Sequence, residues 1–410
     1  MKIGVDIRVL MDKHYSGISE YTANLLSAIL KADKTNEYKL FYNSYHNLGG
    51  RLNKWNSQNS RVIGLHFPNK IFNYCLQKIF GYPRLDKVLG GADIFWSPHF
   101  NFTKLSSPKS GLKKVITVHD LSFLRYPRFF SWRKNFWHKS LGVKKILREA
   151  DKIIAVSANT KNDIMELAGI DAAKIKVIYS GNNVVKKDWA AEKVETCLNK
   201  LGVGGSFILY VGNIEPRKNI SGLIKAYDKL RRESEEAARS DVAAAVPGGK
   251  ADNFKNFSLI LAGAPGWKNA PIYADWQASP YKDQIKFLGY IDEEVKEILY
   301  SRAAVFVYPS YYEGFGFPPL EAMAYGLPVV CSNVSSLPEI VARAGIMINP
   351  YKSDEIFEAI KLVLTDAKLR ARLIALGYEQ ARMFSWDKTA EEYLELFKEL
   401  HENRKAPENS

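Results

Sequence analysis

The stretch "SYYEGFGFPPLEAMAYGLPVV", Ser310 to Val330, holds two glutamates eight positions apart, Glu313 and Glu321, around two glycines and a Pro-Pro pair. Proline is excluded from helix interiors but favoured in the first turn. Pro318-Pro319 therefore predict a short helix from about Pro319, stopped by Gly326. "AVFVYPS" before it reads as a strand, and "PVVCS" after it as another. Strand, loop, helix and strand in that order are the repeating unit of parallel α/β architecture. This reading puts Glu313 in the loop and Glu321 in the first turn of the helix, where they need not touch.

The same rhythm runs through the chain. "KIGVDI" precedes "GISEYTANLLSAILKA", where Ile18, Tyr21, Leu25 and Ile29 recur at helical spacing. "EYKLFY", "RVIGL", "DIFWS", "KKVITV" and "KIIAVS" continue a first series of strands. After "KVIYSGNNV" the chain turns polar, and "FILYVG", "FSLILAG", "IKFLG", "AVFVYP", "PVVCS" and "AGIMIN" form a second. With 410 residues the chain exceeds one ordinary hydrophobic core, so two domains follow. Their boundary falls near Val184 to Lys200: residues 1–184 form the first and 185–385 the second. "RRESEEAARSDVAAAVPGGKADNFKN" (231–256) reads as a helix end passing into a flexible surface insertion. The end of the chain reads as a helix over 386–404.

Composition narrows the class. The net charge is +14, which permits nucleic acid, an anionic membrane surface or phosphate-bearing substrates. Leu121 to Arg148 contains no acid, but holds Arg125, Arg128, Arg133, Lys134, Lys139, Lys144, Lys145 and Arg148 among six Phe and Trp residues. That segment is either a helical cover with a solvated basic face or a surface for anionic lipid. No nucleic-acid module is present, so a nucleic-acid partner is not expected. Cys75, Cys197 and Cys331 stand apart in no C-x-x-C pattern, against a disulfide framework or a zinc site. There is no signal-peptide core and no apolar run approaching the ~18 residues of a membrane span. The expectation is a cytoplasmic protein, with any membrane contact peripheral and at the inner face.

Glycines such as Gly314 and Gly316 let backbone N–H groups turn toward a ligand, and the helix start adds unpaired N–H groups and a positive dipole end. That combination binds phosphate. Carboxylates flanking an anion site make sense if they accept hydrogen bonds from hydroxyls attached to the anion, a ribose on one side and a sugar on the other. A nucleotide sugar has this layout. Sugar-nucleotide enzymes often hold a metal on a D-x-D motif, and this sequence contains none. Instead "VGNIEPRKN" (211–219) offers Arg217 and Lys218 after a strand, suited to phosphate oxygens. No metal and no cofactor are therefore expected.

"EGFGFPPLE" resembles the E-x7-E motif of GT-B glycosyltransferases, specifically glycosyltransferase family 4 (group 1), and "GNIEPRKN" is similar to that family's phosphate-binding segment. "YSGISEYTANLL" and "VHDLSFL" resemble its amino-terminal glycine loop and His-Asp segment, as in bacterial mannosyltransferases of surface-polysaccharide synthesis. The resemblance covers nearly the whole chain, with 231–256 as a departure. It implies two Rossmann-like parallel-sheet domains facing across a cleft, with the last helix returning to the first domain. It implies that Glu321 binds the ribose, Glu313 the transferred sugar, and Arg217 and Lys218 the phosphates. The backbone of Gly314, Phe315, Gly316 and Phe317 would meet sugar and diphosphate, with Gly212 and Leu320 also on the donor side. Tyr290 and Ile291 would lie near the base, Gly17 near the diphosphate, and His119 beside the sugar, with Asp120 steadying its turn.

The activity implied is retaining transfer of a hexose from a nucleotide sugar, mannose from GDP-mannose being favoured, to a glycan or polyprenyl-linked acceptor. The same resemblance implies front-face substitution without a metal or a protein nucleophile. Two readings compete: a UDP-sugar-dependent transferase, and a non-catalytic GT-B subunit that binds a sugar nucleotide or glycan. A phosphorylase would need a pyridoxal-binding lysine that we cannot identify. "GFG" lacks the third glycine of a dinucleotide turn.

Overall fold

The computed structural model describes residues 1–11, 17–46, 48, 50–182, 184, 187–239 and 254–405. They build two α/β units, each with its own parallel sheet. The first comprises Met1–Arg125, Trp132–Gly181 and Phe384–Ser410, and the second Tyr126–Ser131 and Asn182–Met383.

The first sheet contains β1 (Lys2–Asp6), β2 (Glu37–Asn43), β3 (Ser60–Leu65), β4 (Ile94–Ser97), β5 (Lys113–Val118), β6 (Lys152–Ala155) and β7 (Ile175–Val177). Its order is β3-β2-β1-β4-β5-β6-β7. Strands buried on both faces carry continuous apolar runs, as β1, β4 and β6 do. The second sheet contains β8 (Phe207–Val211), β9 (Ser258–Ala262), β10 (Ile285–Gly289), β11 (Val305–Tyr308), β12 (Val329–Ser332) and β13 (Gly345–Ile348). Its order is β10-β9-β8-β11-β12-β13. Both are the doubly wound arrangement expected for Rossmann-like domains. β7, with three residues, is too short for periodicity to mark and was not among the strands read from sequence.

Helix Gly17–Ala32 turns Tyr21, Leu25 and Ile29 into the core of the first unit, while Ile18 is only half-buried. The terminal helix Trp386–Lys405 packs against it in the same unit. Tyr393 reaches both the Tyr21 hydroxyl and Thr117 Oγ1, each at 2.7 Å.

Two local readings change. The helix after the Glu313 loop begins at Phe317, not Pro319, so both prolines fall in its first turn. Glu321 consequently lies in the second turn. Of the 231–256 stretch, residues to Arg239 belong to helix Ile220–Arg239, with Arg231 buried and bonded to Tyr227 Oη at 3.0 Å. Phe254–Asn256 form a turn with Phe254 buried. The inferred insertion between them lies outside the described residues.

The acid-free segment forms helices Ser122–Arg125, Trp132–Leu141 and Val143–Glu149. Helix Trp132–Leu141 buries only Leu141, leaving Trp132 74% and Phe136 64% exposed. Among the described residues, no helix is long and apolar enough to cross a membrane.

Candidate active site

In the second sheet the chain leaves β8 toward β9 on one side, and β11 continues toward β12 on the other. The sheet's switch point therefore lies between β8 and β11, where ligands bind beyond the carboxyl ends of the strands. Gly212 follows β8, and Arg217 and Lys218 lie in the turn Pro216–Lys218 a few residues on. Glu313 follows β11 by five positions. The topology thus brings together groups a hundred residues apart in sequence.

Lys218 Nζ donates to Glu313 Oε1 and to Tyr308 Oη, both at 2.6 Å. Arg217 Nη1 reaches Glu313 Oε2 at 3.3 Å and the Tyr312 carbonyl at 2.7 Å. Its Nε and Nη2 bond Glu215 Oε1 at 3.1 and 2.9 Å. Two cations and two carboxylates form one mostly buried, charge-balanced cluster. Burial alone would raise the Glu313 carboxyl, but Lys218 and Arg217 outweigh it and hold the group below the usual carboxylate range. Glu313 is therefore an anion at neutral pH. Lys218 has three donors and spends two of them on partners among the described residues, which leaves one N–H there for a ligand.

The loop carrying Glu313 is fixed from behind. Ser335 Oγ accepts from the Glu313 N–H at 2.7 Å, and the single Ser336 hydroxyl proton is shared between the carbonyls of Phe315 and Glu313, 2.5 and 3.1 Å from Oγ. Gly316 caps helix Phe317–Ala324 at φ +123°, a conformation that L side chains avoid. The helix N-terminus, with its positive dipole end, therefore begins directly at the loop, although Pro318 and Pro319 contribute no N–H to its first turn.

Glu321 belongs to a second group of contacts. Tyr300 Oη donates to its Oε2 at 3.0 Å, and Lys296 Nζ to its Oε1 at 3.0 Å. Lys296 and Tyr300 lie one turn apart on helix Glu293–Arg302. As expected, the two glutamates use separate partners.

The remaining residues are distributed as follows. Tyr290 and Ile291 follow β10, with Tyr290 60% exposed and Ile291 half-buried. Phe315 is buried and packs on Phe317 at 4.9 Å between centroids. Leu320 is fully buried, so its side chain belongs to the core. Gly17 and His119 lie in the first unit. A Cβ on Gly17 would meet no atom of the described residues within 4 Å. His119 Nε2 lies 2.8 Å from the Pro98 carbonyl. Since a carbonyl only accepts, Nε2 carries the proton. Burial pulls the imidazole below its ordinary value, which keeps it neutral. Asp120 Oδ1 accepts from the Ser122 N–H and hydroxyl at 2.9 and 2.6 Å, which closes the turn after β5.

Sequence reasoning missed Tyr308, Glu215, Ser335, Ser336, Lys296 and Tyr300. Only the last pair carried a signal, an i, i+4 spacing on one helix face. The others are placed by tertiary packing alone.

The family model described as Glycosyltransferase Family 4 matches residues 15–185, and that described as Glycosyl transferases group 1 matches residues 199–380. The chain is 33% identical over 293 residues to the O-antigen chain mannosyltransferase B of Escherichia coli, covering 70% of this chain and 71% of that protein. It is 30% identical over 310 residues to a serotype-specific mannosyltransferase WbdA of Escherichia coli, which spans 75% of this chain and 36% of that longer protein. A sucrose-phosphate synthase from Thermosynechococcus elongatus superposes with a TM-score of 0.70 at 21% identity, covering 98% of this chain and 100% of its own. The chain belongs to the glycosyltransferases of GT-B fold, joining a family 4 amino-terminal region to a group 1 carboxyl-terminal region.

Proposed function

We propose that the protein is a retaining, metal-independent mannosyltransferase that moves mannose from GDP-mannose to a glycan or polyprenyl-linked acceptor of surface-polysaccharide synthesis. The observation that carries this reading is the Arg217–Lys218–Glu313 cluster at the switch point of the second sheet. The choice of mannose rests on the mannosyltransferase names of the relatives.

The roles follow from chemistry. Lys218 offers its remaining N–H and Arg217 its positive charge to the diphosphate, and the helix start at Phe317 adds a positive dipole end. Countering charge that builds on the leaving diphosphate is the main electrostatic task. Glu313, clamped by two cations, is a weak base and accepts hydrogen bonds from the hydroxyls of the transferred sugar. Glu321, steadied by Tyr300 and Lys296, accepts from the ribose. His119, a neutral imidazole of the first unit, is proposed as a further partner of the sugar on the family resemblance alone. The donor's C1–O bond breaks while the acceptor oxygen bonds C1 on the same face. The acceptor proton passes to the departing phosphate oxygen, so no side chain need act as nucleophile.

Thermal-shift titration with GDP, UDP, ADP and their sugars in EDTA tests the donor. Stabilisation by GDP and GDP-mannose is expected, with transfer lost in Lys218→Ala and Glu321→Ala proteins that remain folded. A selective response to UDP would replace the donor. No response to any nucleotide would favour the non-catalytic reading.

The surface of helix Trp132–Leu141 supports peripheral contact with an anionic inner leaflet, because exposed Trp132 and Phe136 stand among Arg133, Lys134 and Lys139. Flotation with phosphatidylglycerol vesicles should fall in a Trp132→Ala/Phe136→Ala variant and in high salt. Equal flotation of wild type and variant would remove this surface.

A further inference from the structure

Six residues in the middle of the first unit's sequence belong to the second unit. The chain leaves the first unit after Arg125, spends Tyr126–Ser131 in the second, and resumes the first at Trp132. This strap contains a short turn, Pro127–Phe129, and its backbone is held in place. Trp267 Nε1, in the loop after β9, donates to the Phe129 carbonyl at 2.6 Å, and Lys268 Nζ donates to the Arg128 carbonyl at 2.8 Å. The Trp267 ring also stacks on buried Phe130, with 5.5 Å between centroids. That loop is tied in turn to the loop after β8. The Ile214 N–H donates to the Ala264 carbonyl and the Gly266 N–H to the Ile214 carbonyl, each at 2.9 Å.

Two rings of the strap reach the residues just before Glu313. Phe129 stacks on Tyr311 with centroids 5.7 Å apart and planes 13° from parallel. Tyr126 meets Tyr312 edge to face, also at 5.7 Å. Both partners grip the turn that carries the cations. The Tyr311 N–H donates to the Arg217 carbonyl at 2.9 Å and its hydroxyl to Asn219 Oδ1 at 2.8 Å, so Lys218 is bracketed from both sides. The Tyr312 carbonyl accepts from Arg217 Nη1 at 2.7 Å. Asn219 stands at φ +55°, a left-handed conformation that a residue other than glycine keeps where its surroundings enforce it. The Tyr311 hydroxyl is one such tie, and the bond from Asn219 Nδ2 to the Pro350 carbonyl at 2.6 Å is another. Tyr311 and Tyr312 thus fix where Arg217 and Lys218 point, and the strap packs on both. Phe129 has no polar side-chain atom, so any effect it has on an anion passes through Tyr311.

We infer that Tyr126 and Phe129 are positioning residues for diphosphate binding, holding the Arg217–Asn219 turn in its working shape through Tyr312 and Tyr311. The inference rests on the reading of that turn as a phosphate site. Calorimetry of the full-length protein with GDP, UDP and ADP in EDTA selects the nucleoside diphosphate that binds. Its affinity is then compared with that of the parent nucleoside, followed by ligand-observed NMR, well below the melting temperature of each protein. The ratio of the two affinities isolates the phosphates, and a loss of stability alone would not move it. Phe129→Ala should lower the ratio about fivefold and Tyr126→Ala/Phe129→Ala about tenfold, the range that stacked aromatic pairs contribute. Phe129→Tyr keeps the stack and should keep the ratio. Both side chains are only half-buried, so folded variants are expected; where the double variant does not fold, Phe129→Ala decides. An unchanged ratio in the alanine variants, equal losses for diphosphate and nucleoside, or a Phe129→Tyr protein as weak as Phe129→Ala would overturn the inference. Wild type that binds no nucleoside diphosphate would defeat the phosphate-site reading and the strap's role with it. Wild type that binds one, beside alanine variants of unchanged ratio, would defeat the strap's role alone.

Discussion

Glu313 lies buried with Lys218 on one oxygen and Arg217 on the other. Removing one member of such a cluster strands a charge away from water, which typically costs about 3–5 kcal/mol. Glu313→Ala should therefore destabilise the second unit by roughly that amount, because Lys218 is left buried without its counter-charge. Lys218→Met combined with Glu313→Gln removes both charges and should cost less than the sum of the single changes. Strict additivity in urea unfolding would show that the pair is not coupled. The pH dependence has a definite sign. The folded carboxyl titrates below its unfolded value, so the unfolded chain binds more protons between the two. Stability from this group is complete above the unfolded value and is lost as pH falls through the folded one. The acid limb should be shallower in Glu313→Gln. Each of Glu313, Arg217 and Lys218 was legible in the sequence from its neighbours, glycines in one case and a strand end in the other. That they grip one another was not legible, because the contact crosses about a hundred residues and depends on which strands are adjacent.

The loop between β11 and its helix shows how an element holds those residues. Gly316 sits at φ +123°, and a Cβ there would lie 2.9 Å from Leu337 Cδ2. Backbone strain of this kind costs about 1–3 kcal/mol, and the clash adds to it. Gly316→Ala should lower the thermal midpoint and weaken nucleotide binding together, since the loop and the helix start move as one piece. Unchanged binding in a destabilised variant would separate the helix N-terminus from the ligand. The element order was largely open to reading, because parallel strands buried on both faces are continuous Val- and Ile-rich runs. Two places escaped. β7 has three residues, which give no period. The helix start moved two residues earlier because proline is accepted throughout the first turn, so a Pro-Pro pair marks the turn without fixing its first residue.

At the scale of the molecule, the first unit is closed by residues from the far end of the chain. Tyr393 and Phe397 are fully buried in it, and Tyr393 bridges the Tyr21 hydroxyl and Thr117. Trp96 packs on Tyr393 and donates to Thr117 Oγ1 at 3.0 Å. Gly181 meets the start of the terminal helix so closely that a Cβ would lie 2.2 Å from the Trp386 nitrogen. The terminal helix is thus part of the first unit's core. Phe397→Ala should cost that unit about 3–5 kcal/mol through lost burial and the cavity left behind. Tyr393→Phe should cost about 1–3 kcal/mol by leaving the Tyr21 hydroxyl unpaired. Calorimetry with and without saturating nucleotide distinguishes the units. A nucleotide held by the second unit raises the transition that contains it, whereas Phe397→Ala lowers the other. One transition moved by both would mean that the units unfold together. The terminal helix would then stabilise the whole chain rather than the first unit alone.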